Sequence, residues 1–142
     1  MIPEADQLRS GMKKQIRSAF DQCYGLMVSE HRCDAYVKTI YVGFSIGDEM
    51  VAAIYPRGDW LEIALALPEN VEGAEFRDGT HLTWPTMPVS VEVRTASDVA
   101  VAKRHLGTAA TRVAAGEHRV RRPNEHFIGR VKRGNSGQGV RT

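Results

Sequence analysis

The chain has 142 residues, 42% of them hydrophobic and 25% charged, with a formal net charge of +2. That length suits one domain able to bury a core without disulfide or metal staples. The sequence contains no run of about 18 apolar residues, which argues against a membrane span, and Met1-Ile2-Pro3-Glu4 lacks the layout of a secretory signal. The expected location is cytoplasmic, where Cys23 and Cys33 stay as two reduced thiols at a spacing unlike any zinc motif.

In chain order, the first predicted element is a helix from Glu4 to Cys23. Leu8, Met12, Ile16, Ala19, Phe20 and Cys23 form one apolar stripe, and Glu4 and Asp6 sit at the positive end of the dipole. Gly25 is a natural stop. From Leu26 to Lys38 the pattern is neither periodic nor clearly a loop.

Four alternating segments follow. Thr39–Ile46 places Ile40, Val42, Phe44 and Ile46 on one face, and Gly47-Asp48 signals a hairpin. Met50–Tyr55 sets Met50, Ala52 and Ile54 against Val51, Ala53 and Tyr55, ahead of the turn Pro56-Arg57-Gly58-Asp59. Trp60–Leu67 sends Leu61, Ile63, Leu65 and Leu67 one way and Trp60, Glu62, Ala64 and Ala66 the other. Val89, Val91 and Val93 alternate with Ser90, Glu92 and Arg94. The connection Pro68–Pro88 is long for a compact domain and is expected to hold a small strand near Phe76 or a lid carrying His81 and Trp84.

A closing helix is capped at Thr95-Ala96-Ser97-Asp98, carries the stripe Val99, Ala102, Leu106, Ala109, Ala110 and Val113, and stops at Gly116. Residues 117–142 read as a basic, largely flexible tail on a single 1–116 domain. The expected fold is therefore α+β, a mainly antiparallel sheet of four or more strands with the N- and C-terminal helices on one face. The other sheet face is then left with small, polar and aromatic side chains, which suit a bound ligand, a second copy of the chain, or coverage by the long loop carrying Trp84.

The run Tyr41-Val42-Gly43-Phe44, then Ile46-Gly47-Asp48-Glu49-Met50-Val51-Ala52 and Trp60-Leu61-Glu62-Ile63-Ala64-Leu65, resembles the central hairpins of an uncharacterised domain family labelled "predicted transport protein". Val89–Arg94 with Ser97-Asp98 opening a helix resembles its C-terminal portion. That family occurs alone and joined to restriction-endonuclease-like proteins, and its layout is similar to the MmcQ/YjbR-like domains, whose arrangement resembles frataxin. The resemblance spans roughly residues 38–114 and implies an α+β fold and a nucleic-acid setting.

Charge adds a second pointer. Residues 1–116 carry 12 Lys/Arg against 15 Asp/Glu, or −3, while residues 117–142 carry 7 against 2, or +5. Arg119, Arg121, Arg122, Arg130, Lys132 and Arg133 form an arm suited to DNA or RNA phosphates, the bland alternative being a solvated tail. The open sheet face, with Tyr41, Tyr55, Trp60, Glu62 and Glu92 beneath the His81/Trp84 loop, is the candidate ligand or partner face.

Paired Glu62 and Glu92 could share a proton or hold a metal, or serve solubility alone. His105 reads as solvent-facing, and neither cysteine has a base beside it. No cofactor, metal or catalytic residue is assigned. The leading expectation is a small non-enzymatic binding module associated with nucleic acid through its tail. The alternatives are a small-molecule-binding protein or enzyme using the aromatic and acidic face, and a homodimeric interaction domain.

Overall fold

A computed structural model describes residues 1–79, 81–82 and 86–118. Helices α1 (Pro3–Ser10) and α2 (Lys14–Gly25) precede strands β1 (Asp34–Lys38), β2 (Tyr41–Ile46), β3 (Glu49–Pro56), β4 (Leu61–Leu65), β5 (Arg77–Asp78) and β6 (Val89–Val93). Helix α3 (Ala96–Ala114) follows. The strands form one antiparallel sheet in the order β1-β2-β3-β4-β6-β5. The α+β architecture and the helices flanking the sheet agree with the sequence pattern.

The first helix is two helices. Gly11 costs a helix interior about 1 kcal/mol relative to alanine, and the chain breaks there. The Arg9 guanidinium spans the break with a bidentate pair to Asp21, at 2.6 and 2.8 Å. The apolar stripe survives the break, with Met12, Ile16, Ala19, Phe20 and Cys23 all buried. Tyr24 joins α1 to the core: its hydroxyl accepts the Ile2 amide at 3.1 Å while its ring meets Phe44 edge-on.

The stretch Leu26–Lys38 resolves into a π-helical turn, Leu26–Glu30, and edge strand β1. Thr39 and Ile40 belong to the β1–β2 turn, so Ile40 is exposed at 56% rather than facing the core. The β2–β3 hairpin turns at Gly47-Asp48, with a positive φ at Gly47 alone, as in a type II′ turn. A bulge falls where Ser45 pairs with Met50 while Phe44 pairs with Ala52. The extra residue, Val51, reverses the alternation and moves Met50 to the side of Gly43 and Ser45, where Tyr36 donates its hydroxyl to the Met50 sulfur at 3.3 Å.

The long connection does contain a small strand, β5, paired to β6. It requires glycine at Gly79, because a Cβ there would lie 2.9 Å from the Val89 backbone. Helix α3 opens with the Asp98 carboxylate accepting the Thr95 and Arg94 amides at 3.1 and 2.9 Å. It closes with Gly116 at φ 71° and the bonds Gly116 N–H to Val113 O and Glu117 N–H to Arg112 O, the Schellman arrangement. His118, read from sequence as tail, is buried and donates from Nε2 to the Thr86 carbonyl at 2.6 Å.

One sheet face carries Val42, Phe44, Ala52, Ile54, Ile63, Leu65, Val89 and Val91, all under 5% exposed, and α3 packs against its central strands. Burial of each such large side chain contributes about 1.5–3 kcal/mol, which is the main stabilisation of the fold. Among the described residues no helix is long and apolar enough to cross a membrane.

Candidate functional site

The second face of the sheet is built by cross-strand register. Gly43 pairs with Ala53, Ala53 with Ala64, Tyr55 with Glu62, and Glu62 with Glu92, so all these residues share one side. The centre of this face is covered within the single chain, with no second copy needed: Tyr41 and Tyr55 are 3% and 1% exposed. The chain itself covers them. Tyr36 of β1 lies over Gly43, where a Cβ would sit 2.6 Å from its ring, and meets Tyr41 edge-on. Tyr41 stacks in turn on Tyr55 at 4.9 Å, and the Arg57 guanidinium lies 5.3 Å above the Tyr55 ring. Small residues at Gly43, Ala53 and Ala64 are therefore the floor of an aromatic cluster, not of an open groove.

Glu62 is the charged centre of this face. Its side chain is only 7% exposed, yet both oxygens are engaged. Oε1 accepts Arg57 Nε and Nη2 at 3.2 and 2.9 Å, and Oε2 accepts His81 Nε2 at 2.8 Å and Ser90 Oγ at 3.4 Å. Each partner follows from local structure: Arg57 sits in the β3–β4 turn, closed by its amide bonding the Trp60 carbonyl at 2.8 Å, Ser90 lies on neighbouring β6, and His81 arrives on the loop after β5. Burial is the largest influence on the Glu62 carboxyl and opposes ionisation. The hydrogen bonds and positive charge of Arg57 and His81 together outweigh it and hold the group below the ordinary glutamate value. An ionised carboxylate only accepts, so His81 carries a proton on Nε2.

Glu92 faces Glu62 directly across β4 and β6 but has its own cations, Arg94 Nε at 3.0 Å and Arg77 Nε at 3.7 Å. Each carboxylate is thus paired with cations of its own. Trp60 is half-buried under Arg94, whose guanidinium lies 4.2 Å from its ring centre. Of the residues named from sequence, Glu62 and His81 converge, Glu92 and Trp60 flank them, and Tyr41 and Tyr55 lie in the cluster beneath Arg57. Trp84, Arg119, Arg121, Arg122, Arg130, Lys132 and Arg133 lie outside the described residues.

Sequence reasoning missed Arg57, Tyr36 and Arg77 as members of this face; alternation placed Ser90 on it without a role. The register signal for Arg57 was available, since a turn residue at the open end of a hairpin lies beside the second strand's first inward side chains. The loop ahead of β5 also ties to the helix side: His105, expected in solvent, is 13% exposed, bonds Glu75 Oε2 at 2.8 Å, and packs on the Phe76 ring at 4.5 Å.

Both cysteines are free and buried, and burial pushes the Cys23 thiol up to about 12 and the Cys33 thiol to about 11. Neither has thiolate character at neutral pH. Among the described residues no three His, Cys, Asp or Glu side chains converge as a metal set. No family model matches the chain, and neither a search of curated proteins nor one of solved structures returned a match.

Proposed function

We propose that this chain is a non-enzymatic binding module that associates with nucleic acid through its basic C-terminal segment. The observation that carries this reading is the division of charge, −3 over residues 1–116 (12 Lys/Arg against 15 Asp/Glu) and +5 over residues 117–142 (7 against 2). Such a segment neutralises phosphates without reading sequence and releases counterions on binding. The state of Glu62 argues against one catalytic role, that of general acid or base. A general acid or base at neutral pH needs a carboxyl raised towards the working pH, whereas Glu62 is lowered and held by Arg57 and His81.

The test is binding of single- and double-stranded oligonucleotides by the full chain across a salt series. A second full chain has Arg119, Arg121, Arg122, Arg130, Lys132 and Arg133 all replaced by glutamine. The expected result is tight, steeply salt-dependent binding by the parent and loss of most of the slope in the variant. Equal and negligible binding by both chains would contradict the reading.

A further inference from the structure

The arginines on the second sheet face are arranged for more than neutralising two glutamates. Arg77 and Arg94 have side chains 61% and 52% exposed, His81 is 56% exposed and Arg57 32% exposed. The carboxylates between them are sunk, Glu62 at 7% and Glu92 at 24%. The in-register acidic pair is a floor and the cationic heads are the surface. Two of the heads also lie over aromatic rings, Arg57 at 5.3 Å from the Tyr55 ring centre and Arg94 at 4.2 Å from that of Trp60. Ring contact and pairing fix each guanidinium while using few of its five N–H donors: Arg57 commits Nε and Nη2, and Arg94 commits Nε. Guanidinium groups ordered in advance lose less freedom when they engage a phosphate. The acidic neighbour at the rim, Asp59, is itself paired with Lys13.

From this juxtaposition, and resting on the nucleic-acid reading above, we infer that Arg57, Arg77, Arg94 and His81 form a docking surface for the phosphate backbone of a nucleic-acid strand. It is a second contact, on the body, distinct from the basic C-terminal segment. Charge complementarity points to the occupant: the body is net negative, yet here three guanidinium groups stand over two carboxylates, an excess of one positive charge with the cations outermost. The contacts are to phosphate and carry no base reading.

The experiment uses the full chain, a labelled oligothymidylate and a salt series, with three proteins: the parent, Arg77→Gln/Arg94→Gln, and the chain with the six tail cations neutralised. Arg57 is left in place because Glu62 beneath it is buried. Each single-strand phosphate contact contributes about 0.7 to the slope of log affinity against log salt. The double variant is expected to lose about 1.4 of slope, at two contacts removed, with an unchanged circular-dichroism spectrum. The tail variant is expected to retain residual salt-dependent binding.

An unchanged slope in Arg77→Gln/Arg94→Gln, with a large loss in the tail variant, would overturn the docking surface and leave the tail reading standing. No binding by the parent would overturn both. Equal binding of inorganic polyphosphate of matched charge would overturn the assignment to nucleic acid. Photo-crosslinking of the parent to a thiouridine oligonucleotide supplies a check independent of the variants' folding. Adducts on the peptides containing Arg57–Glu62 and Arg77–Arg94 are expected, and adducts confined to residues 119–142 would contradict the proposal.

Discussion

The two faces of the sheet solve the same problem by different means. The helix side is filled by aliphatic side chains with the rings of Phe20, Tyr24 and Phe44, whose contributions are largely non-directional and tolerate repacking. The other side is filled by tyrosines, a bound carboxylate and arginines, where each group depends on a particular partner and geometry. Most of the stability belongs to the first face. The second, with polar groups that are buried yet reach the surface through Arg57 and His81, is where recognition can be built.

Substitutions separate the two faces sharply, and the largest effect belongs to the helix side. Phe20→Ala removes a fully buried ring and is expected to cost about 3–5 kcal/mol in urea unfolding. A cost under about 1 kcal/mol would mean the helices are not seated on the sheet as described. On the tyrosine side, Gly43→Ala forces a methyl into the Tyr36 ring at 2.6 Å and is expected to cost about 1–3 kcal/mol. Tyr36→Ala in the same chain should recover part of that loss, because the clash disappears with the ring.

Glu62→Gln keeps the shape but leaves Arg57 and His81 without their anion, an expected cost of about 1–2 kcal/mol near neutral pH. Its pH dependence sharpens the comparison. The folded-state value of Glu62 lies below the unfolded one, so its stabilisation is present above the unfolded value and is lost as pH falls through the folded value. Urea midpoints of parent and variant should therefore converge in acid and separate towards neutrality. A constant gap would show that the carboxylate's charge is not the stabilising feature.

Smaller still, Asp98→Ala removes the acceptor of two amides at the start of α3 and should cost about 1 kcal/mol. Lys13→Ala breaks the exposed pair with Asp59 and is expected to leave the urea midpoint unchanged within error.

The helix side was legible in the sequence because aliphatic periodicity reports burial directly. Met12 to Cys23 and Val99 to Val113 were read as stripes, and both are buried. The polar side was legible only as a list of residues. Alternation placed Tyr55, Glu62 and Glu92 together, but a tyrosine next to small residues looks the same whether the face is open or filled by Tyr36 from an edge strand. That strand, β1, does not announce itself by alternation, because Ala35-Tyr36-Val37 runs apolar between Asp34 and Lys38. The bulge at Val51 carries no local signal, and it moved Met50 across the sheet. The Glu62 site draws on a turn, two strands and a loop far along the chain, so only the sheet register and the return of the loop assemble it.

The direct test of the central claim, that this face holds an ionised glutamate paired with Arg57 and His81, is an NMR titration of the Glu62 side-chain carboxyl in the full chain. The expected midpoint lies below the ordinary glutamate value. A midpoint raised well above the ordinary value, towards neutrality, would contradict it and identify Glu62 instead as a carboxylic acid poised for general acid–base chemistry.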